Sequence, residues 1–254
     1  MMLIENDLYL GTVDKVKNAI DRIKMFEPPE GYYVAFSGGK DSIVLLDLVK
    51  KSGIKYDVHF NMTTVDPPEL LKYIRQYYPE VIWDRPRISM FNLIIKKKFP
   101  PTRLMRYCCE ELKERGGAGR YTVTGIRWEE SSKRKQRKMV EVCYKDKLKK
   151  YLHPIIDFTD KDIWSYIKSN NIPYCELYDR GHKRIGCIGC PMSVNQKREL
   201  ELYPKFKNMY LRAFDKMLLQ YTDKNQTWKT GQDVMDWWVN NKDKENENQF
   251  SLFE

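Results

Sequence analysis

The motif SGGKDS at positions 37–42 lies between two apolar segments, 32–36 and 43–46. This order predicts a strand, a glycine turn and the first turn of a helix, so that backbone N–H groups and the positive helix end point at one place. Adjacent glycines let the backbone approach an anion closely, and Lys40 adds a mobile positive charge. The motif therefore predicts a phosphate-binding loop for a nucleotide, with an ordinary turn between strand and helix as the alternative.

Four of the six cysteines form two close pairs. Cys108 and Cys109 are adjacent, and Cys187 and Cys190 form a C-x₂-C pair 78 positions later. Thiolates in this number suit zinc or an iron–sulfur cluster, and an adjacent pair is unusual in a structural zinc site, which favours iron–sulfur. For the remaining two, Cys143 and Cys175, we predict buried structural thiols, with a sulfur-carrying or resolving thiol as the alternative.

Together these patterns resemble one enzyme family. SGGKDS after a strand resembles the PP-loop of the adenine nucleotide α-hydrolase superfamily. With the cysteine pairs, residues 32 to about 194 resemble the 4Fe–4S branch of the phosphoadenosine phosphosulfate (PAPS) and adenosine phosphosulfate (APS) reductase family. Further segments carry the resemblance: TGIRWEES at 124–131 with Arg134 beyond it, HPII at 153–156, WSYI at 164–167, IPY at 172–174 and GHKRIGCIGCP at 181–191.

Two departures from the reductases indicate which kind of member this is. Reductases of this family resemble one another in a C-terminal segment with a nucleophilic cysteine, whereas no cysteine follows Cys190 in this sequence. Reductases also commonly carry a degraded PP-loop, whereas Lys40 and Asp41 are intact here. The chain is therefore similar to the ATP-pyrophosphatase subunit of DNA phosphorothioation systems and, more loosely, to cluster-dependent tRNA thiolases.

The resemblance implies roles for individual residues. ATP is the implied substrate, with its phosphates held by the loop residues Ser37, Gly38, Gly39, Lys40, Asp41 and Ser42 and by Gly125. Asp41 is expected to place Mg²⁺, while Arg127 and Arg134 neutralise charge on pyrophosphate or substrate. Glu130 is a further catalytic candidate, with pairing to an arginine as the alternative. The implied 4Fe–4S ligands are Cys108, Cys109, Cys187 and Cys190, with Lys113 near the cluster.

Three functions remain open at this point. The first is an enzyme that hydrolyses the α–β bond of ATP to activate a substrate for sulfur incorporation into nucleic acid, supplied by a sulfur donor or reductant protein. The second is a sulfite-forming PAPS or APS reductase whose thiol comes from another chain or from Cys143 or Cys175. The third is a non-catalytic, DNA-associated redox sensor.

Net charge bears on the partner. The chain carries 45 Lys and Arg against 35 Asp and Glu, a formal charge of +10, with basic runs at 96–98, 133–138 and 145–150. Such runs attract a polyanion, and DNA is favoured over tRNA; a solvated lysine-rich face is the alternative. No apolar run is long enough to span a membrane and the N-terminus has no secretory pattern, so we expect a cytoplasmic protein.

Strand and helix signals alternate along the chain. This predicts an α/β fold with a Rossmann-like parallel sheet, ligand bound beyond the strand C-termini, and a helical C-terminal extension. Both the PP-loop and the Arg127 loop follow strands, so we expect one shared site. Strands are predicted at 32–36, 56–62, 81–83 and 121–124, and helices at 7–26, from 68 to 77, after the N-cap Thr159, at 193–219 and around Trp237.

The expected organisation has four parts: an N-terminal helix in 1–30, a PP-loop domain with the iron–sulfur site in 31–192, a helical region in 193–241 and a flexible tail in 242–254. The tail ends in an apolar cluster, QFSLF at 249–253. This cluster resembles the pentapeptide with which bacterial proteins dock on the replication sliding clamp, through Gln249, Leu252 and Phe253. Packing of the tail back on its own domain is the alternative.

Overall fold

The computed structural model describes residues 3–7, 11–221 and 227–240. The residues predicted to bind a sliding clamp, Gln249, Leu252 and Phe253, lie outside these ranges. The chain divides into two compact units, each built from separate segments. The sheet unit comprises Met1–Asn61, Pro68–Asp84 and Arg115–Ile185, and the cysteine unit comprises Met62–Pro67, Arg85–Glu114 and Gly186–Glu254.

The elements are numbered in chain order. They are β1 (Ile4–Asp7), β2 (Gly11–Asp14), α1 (Lys15–Met25), β3 (Tyr32–Ala35), α2 (Lys40–Ser52), β4 (Tyr56–Asn61), α3 (Pro68–Tyr77), β5 (Ile82–Asp84), α4 (Met90–Lys97), α5 (Tyr107–Cys109) followed by a π-helical turn (Glu110–Glu114), β6 (Tyr121–Val123), a 3₁₀ turn (Trp128–Glu130), α6 (Ser132–Lys135), β7 (Val140–Val142), β8 (Lys150–Leu152), α7 (Asp160–Ser169), α8 (Gln196–Leu202), α9 (Pro204–Leu218) and α10 (Gly231–Asn240).

The sheet unit is built on six strands in the order β5-β4-β3-β6-β8-β7. The first five of these are mutually parallel, and only β7 runs antiparallel, paired with β8. In the central strand β3, Tyr32, Tyr33 and Val34 are all buried, as expected for a parallel strand covered on both faces. The predicted α/β fold with a parallel sheet is confirmed, and the predicted strands after the PP-loop strand occur close to their predicted positions.

The helix predicted from residue 7 to residue 26 is shorter. It begins at Lys15, because the Asp14 carboxylate accepts hydrogen bonds from the backbone N–H groups of Val16 and Lys17 and so acts as an N-cap. The segments before it, β1 and β2, pair as antiparallel strands. The prediction of a helix is therefore wrong at Asp7 and at residues 11–14, whereas the helix from Lys15 to Met25 is confirmed.

The cysteine unit is helical in its C-terminal part. Tyr210, Phe214 and Trp238 form the centre of its core, and their rings contact one another at centroid distances of 5.0 to 6.1 Å. The single helix predicted over 193–219 is instead two helices, α8 and α9, separated at Tyr203. The proline at 204 explains the break, since a residue before proline is disfavoured in helical conformation and proline itself favours the first helical turn.

A capping interaction at the start of α7 helps to position the candidate site of the sheet unit. Thr159 caps α7 as predicted, and its side chain forms a reciprocal capping box with Asp162.

Strands β7 and β8 were not predicted from the sequence. In the described ranges, no helix combines the length and apolar character needed to cross a lipid bilayer.

Candidate functional site

The PP-loop motif forms the turn between β3 and α2. Gly38 lies in the left-handed region with φ of +69°, and a Cβ there would come within 2.8 Å of Leu70 and Ile74, so the loop requires glycine. Gly39 is the N-cap of α2 and supplies no side-chain cap. The Ser42 hydroxyl stabilises the turn instead. It donates a hydrogen bond to the Gly39 carbonyl at 2.9 Å and accepts one from the Ser37 N–H at 3.2 Å. The positive end of α2 therefore opens at this turn, as the sequence predicted.

Lys40 lies at the start of α2 and is almost fully buried, with 6% of its surface exposed. Its Nζ contacts the carboxylate of Asp160 at 2.9 Å and both oxygens of Asp41 at 3.2 Å. Asp160 opens α7, so two helix starts meet in one ion-pair group. Hydrogen bonds and charge from Lys40 and Arg127 hold the pKa of Asp160 below its ordinary value, although burial acts the other way. The Asp160 carboxylate is therefore ionised at neutral pH.

Arg127 completes this group from the loop after β6. Its guanidinium donates to Asp41 at 2.7 Å and to Asp160 at 2.5 Å, and also to the Phe158 carbonyl at 3.0 Å. Only 1% of the side chain is exposed. The PP-loop and the Arg127 loop therefore meet, as expected from their positions after neighbouring parallel strands. Because its donors are occupied by these partners, Arg127 is placed to orient Asp41 and Asp160.

Gly125 lies where the Arg127 loop passes the start of α2. A Cβ at this position would be 3.0 Å from the Asp41 carbonyl oxygen, a contact tighter than ordinary packing. Glycine therefore permits the close approach that brings Arg127 to the carboxylates. This geometry gives the predicted site residue Gly125 a role in loop packing.

The two remaining catalytic candidates pair with each other. Glu130 accepts from the Arg127 backbone N–H at 3.0 Å and forms an ion pair with Arg134. The Arg134 side chain is 29% exposed. Burial and the neighbouring Arg184 lower its pKa, against the attraction of Glu130. Glu130 thus adopts the arginine-paired arrangement that the sequence left as the alternative to catalysis.

Two residues of this site were not predicted. From the sequence, Asp160 was assigned only to a helix cap. Its contacts with Lys40 and Arg127 join residues 120 and 33 positions apart, so no local pattern predicts them. Tyr178 accepts a hydrogen bond from the Lys40 backbone N–H at 2.8 Å through its phenol oxygen. That N–H is one of the first-turn donors expected to face a phosphate, and Tyr178 carries no sequence signal for this contact.

A groove of about 560 Å³ opens beside the Arg127 loop. Trp128, Lys135 and Phe158 contribute an aromatic face, a cation and an apolar wall, and the rest of the lining is mostly polar: Glu129, Ser131, Ser132, Asp157 and Thr159, with Ile156. The Trp128 ring is fixed by a hydrogen bond of its Nε1 to the Arg137 carbonyl at 2.8 Å and remains 41% exposed. The volume of the groove falls within the range of small-molecule sites.

The C-x₂-C pair lies in a tight loop of the cysteine unit. Gly189 has φ of +71°, and the Cys190 N–H donates to the Cys187 carbonyl at 3.2 Å. The loop is anchored from outside, because the Ile188 N–H bonds the Val65 carbonyl at 2.8 Å and the Tyr210 hydroxyl bonds the Ile188 carbonyl at 2.9 Å. These bonds hold the two thiols in a fixed relation.

The adjacent pair comes from a different segment of the same unit. Cys108 and Cys109 end α5 and precede a π-helical turn, a rare geometry that is frequent at functional sites. A hydrogen bond with Cys109, burial, and the charges of Cys187 and Cys190 raise the pKa of Cys108, so all four thiols lie within electrostatic reach of one another. The two predicted pairs are therefore brought together.

Positive charge accompanies the thiols. The hydrogen bond from Cys108, followed by that from Arg106, lowers the pKa of Cys109 to about 5 despite burial. Arg106 contacts the Cys109 sulfur at 3.6 Å. Lys113 is an exposed residue. The negative charge of Cys187 raises the pKa of the Lys113 ammonium group, and this group also forms a hydrogen bond with the Cys187 sulfur. Lys113 thus lies beside the cysteines, where the sequence predicted it.

Within the described part of the chain, no three or more His, Cys, Asp or Glu side chains are arranged to hold a single metal ion. An iron–sulfur cubane is larger than an ion, so its four ligands stand further apart than those of zinc. Two thiols from an anchored loop and two from a short helix, with cations beside them, have the donor chemistry that such a cluster requires.

The other two cysteines differ from each other. Cys175 is fully buried, as predicted. Cys143 is only half-buried, so the prediction that it is buried is wrong for this residue. Its position in the turn after β7 is the reason. Burial raises the pKa of its thiol, but hydrogen bonds from the backbone N–H groups of Asp146 and Lys145 and from the Tyr151 hydroxyl together lower the pKa below its ordinary value.

Comparison with known proteins identifies the family. A sequence model of the phosphoadenosine phosphosulfate reductase domain matches residues 31–193. The chain belongs to the PAPS reductase family. It therefore also belongs to the PP-loop superfamily, as its motifs indicated.

Relatives of this PAPS reductase family member include an uncharacterized protein of Methanocaldococcus jannaschii, 30% identical over 188 residues, which cover 70% of this chain and 46% of that protein. The chain spans less than half the length of this relative and of a second uncharacterized protein from the same organism. Adenosine 5'-phosphosulfate reductase of Bacillus thuringiensis subsp. konkukian is 26% identical over 210 residues, covering 76% of this chain and 87% of the reductase.

Among solved structures, the PAPS reductase of Candida auris in complex with phosphate is similar in fold. It superposes with a TM-score of 0.52 at 20% identity, covering 67% of this chain and 88% of the reductase. This likeness confirms the Rossmann-like PP-loop fold inferred from the sequence.

Proposed function

We propose that this PAPS reductase family member cleaves ATP between the α and β phosphates, transferring the adenylate to a substrate and releasing pyrophosphate. This transfer activates the substrate for sulfur transfer, with nucleic acid as the acceptor. The observation that carries the proposal is the intact charged group at the PP-loop, in which Lys40 and Arg127 are joined to Asp41 and Asp160 at the first turn of α2. A phosphosulfate nucleotide has no β and γ phosphates, whereas a pyrophosphate leaving group needs such a concentration of charge.

Each part of the loop has a task in this reaction. Negative charge grows on the pyrophosphate as the α–β bond breaks, and the Lys40 ammonium group and the N–H groups at the start of α2 stabilise it. Asp41 and Asp160 supply the oxygen ligands that Mg²⁺ prefers, and Arg127 keeps both carboxylates oriented toward the loop. The groove beside Trp128 offers space for the group that receives the adenylate.

We assign the four thiols of the cysteine unit to a 4Fe–4S cluster held by Cys108, Cys109, Cys187 and Cys190. When bound, the cluster would supply electron-transfer or sulfur chemistry. The chain's own residues set its surroundings: Arg106 and Lys113 place positive charge beside the sulfurs, which favours their thiolate form.

A sulfite-forming reductase is the second candidate, and the APS reductase names of several relatives favour it. It requires a nucleophilic cysteine, and residues 191–254 contain none. Cys143, half-buried and with a lowered pKa, is the thiol of this chain that such a reaction would use. A DNA-associated redox sensor without catalysis is a third candidate; it predicts no product from ATP.

The first test is anaerobic purification with iron and sulfide analysis, followed by incubation with ATP and Mg²⁺ and a pyrophosphate assay, with and without DNA. We expect about four irons and four sulfides per chain and pyrophosphate release that DNA stimulates. Lys40→Ala should lower the release by about 100-fold or more, the cost of removing one preorganised charge donor.

The matched control is Lys50→Ala on the same helix, since Lys50 is an exposed lysine that pairs with Glu80. This variant should retain the wild-type rate and cluster content. Sulfite release from PAPS or APS, with no pyrophosphate from ATP, would replace the proposal with the reductase. A rate of ATP cleavage that Lys40→Ala leaves unchanged would remove the PP-loop from the mechanism.

A further inference from the structure

Most of the net positive charge of the chain lies in one short segment of the sheet unit. Residues 133–150 contain nine lysines and arginines against two acidic residues, a net charge of +7 out of the +10 of the whole chain. The segment covers α6, the strand β7, the turn that follows it and the start of β8. Because β7 is the last strand of the sheet, this charge lies at one edge.

The structure separates the cations of this segment into two groups. Arg134 and Arg137 pair with Glu130 and Glu141, and Lys149 is buried, with its Nζ donating to the Gly116 carbonyl. The remaining six are exposed lysines: Lys133, Lys135, Lys138, Lys145, Lys147 and Lys150. Six of the nine cations of the segment are therefore exposed.

The turn between β7 and β8 also displays apolar side chains. Tyr144 is 98% exposed and Leu148 is 78% exposed. The turn itself is ordered by hydrogen bonds, since the Asp146 carboxylate accepts from the Gly119 N–H at 2.9 Å and the Leu148 N–H at 3.1 Å. The Cys143 N–H closes its base on the Lys149 carbonyl at 2.8 Å. An exposed aromatic ring therefore lies on an ordered turn that also carries exposed lysines.

Protection of an edge strand explains only part of this pattern. Lysines on an edge strand discourage pairing with other chains. The exposed side chains of Tyr144 and Leu148 in the turn do not protect the edge strand from pairing, and exposed apolar surface lowers solubility unless a partner covers it. Basic side chains interleaved with an exposed aromatic ring match the chemistry of an unpaired nucleic-acid strand, which offers phosphates and bases that stack.

We propose that the β7–β8 hairpin, residues 140–152, binds single-stranded nucleic acid. The Tyr144 ring stacks on a base, and Lys145 and Lys147, which follow it in the turn, contact the phosphates. The inference deepens the proposed function by naming where the acceptor docks, and it rests on that function for the identity of the acceptor. The hairpin needs no ATP for this contact, so its binding is measured separately from catalysis.

The first experiment measures binding of the full chain to a fluorescein-labelled oligo(dT) of about 20 nucleotides, by anisotropy and without ATP. Tyr144→Ala should weaken binding by between about 5-fold and about 150-fold, the range for loss of one base–aromatic stack. Tyr144→Phe keeps the ring and should bind as the wild type does. The control Tyr77→Ala removes another exposed tyrosine of the same unit and should leave the affinity unchanged.

The second experiment measures the salt dependence of the same binding. Removing two phosphate contacts in Lys145→Ala/Lys147→Ala should reduce the slope of log K against log salt by about 1.4, at about 0.7 for each contact on a single strand. Lys17→Ala/Lys24→Ala on α1 removes the same charge from two other exposed lysines and should keep the slope. Tyr144→Ala should lower the affinity without changing the slope.

Several results would overturn the inference. Equal affinity of Tyr144→Ala and the wild type, or an equal slope for both lysine pairs, would show that the hairpin does not contact the strand. Binding to vesicles of phosphatidylserine and phosphatidylcholine that the hairpin variants abolish, with no binding to oligo(dT), would assign the hairpin to a lipid surface. Tighter binding to duplex DNA than to oligo(dT), insensitive to Tyr144→Ala, would exclude stacking.

The two proposals fail in distinguishable ways. A wild-type protein that releases pyrophosphate but shows no hairpin-dependent binding retains the proposed function and loses the inference. A protein that binds oligo(dT) through Tyr144 but releases no pyrophosphate under any condition retains the nucleic-acid surface and loses the ATP reaction.

Discussion

At the scale of single residues, burial and partners decide what a predicted side chain does. The role of Arg127 in neutralising charge on pyrophosphate or substrate stays a prediction. In the structure its guanidinium is enclosed by Asp41, Asp160 and the Phe158 carbonyl, which lie far from it along the chain. A motif therefore locates a site residue before it explains how that residue acts.

His153 gives the sheet unit a pH dependence. It is fully buried, and its Nδ1 bonds the Thr124 hydroxyl at 2.7 Å. Burial, followed by the charge of Arg137, lowers its pKa to about 4, against the attraction of Glu141. The folded protein therefore prefers neutral histidine, whereas the unfolded chain protonates near pH 6.5.

We expect the free energy of unfolding to be full above pH 6.5 and to fall as the pH drops toward 4, because protons then bind the unfolded state in preference. The loss reaches about 3 kcal/mol, since each pKa unit is worth about 1.4 kcal/mol. Urea unfolding at pH 7.5, 6, 5 and 4.5 measures it. His153→Gln should flatten the curve in this window; an equal slope in the variant would assign the effect to other groups.

At the scale of elements, local signals predicted the turns and caps well. The PP-loop turn, the Thr159 cap and the strand at β4 occur where the sequence indicated, because each depends on neighbouring residues. The prediction of one helix over 193–219 was wrong at Pro204. The apolar periodicity continues across this proline, but the backbone forms two helices there.

The sheet unit provides a matched pair of glycines, one in the PP-loop turn and one in the turn before β6. Gly38 and Gly119 both have φ of +69°, but a Cβ at Gly38 meets Leu70 and Ile74 at 2.8 Å, whereas one at Gly119 meets nothing within 4 Å. Gly119→Ala should cost about 1 kcal/mol of stability, the strain of a left-handed alanine. Gly38→Ala should cost more and also weaken ATP binding.

Urea unfolding and titration with ATP measure both effects. The pair separates backbone strain, which the two variants share, from the steric contact that only Gly38→Ala introduces. Equal stabilities of the two variants would indicate that α3 moves aside without cost. Loss of ATP affinity in Gly119→Ala would show that strain away from the loop is sufficient.

At the scale of the whole molecule, the two candidate sites belong to different units. The PP-loop, Arg127, Asp160 and Tyr178 all lie in the sheet unit, and the four thiols with Lys113 lie in the cysteine unit. Each unit is assembled from segments that are separated in sequence. Ligands of the two sites should therefore stabilise different parts of the chain.

Hydrogen exchange with mass spectrometry tests this separation on the anaerobically purified protein. ATP with Mg²⁺ should slow exchange at 37–42, at 124–131 and around Asp160, all in the sheet unit. Removal of iron with a chelator should speed exchange at 62–67, 105–114 and 186–196, in the cysteine unit, because metal binding free energy becomes folding free energy. A response of the cysteine unit alone to ATP would contradict the assignment of the nucleotide to the PP-loop.

The sequence by itself determined the family, the α/β class, the phosphate-binding turn and the two pairs of cysteines. These follow from short-range patterns: a glycine turn between a strand and a helix, a C-x₂-C spacing, and alternation of apolar segments, whose physical causes act over a few residues. The identities of most candidate site residues came from the same short motifs.

The tertiary structure decided the contacts between distant segments. It brought Asp160 and Tyr178 to the PP-loop, paired Glu130 with Arg134, gathered Cys108 and Cys109 with Cys187 and Cys190, and raised Tyr144 on an ordered turn at the sheet edge. Such contacts depend on strand order and packing across tens of residues, and no local pattern records them. Propensity and spacing define which chemistry a chain carries, and the fold determines which groups meet.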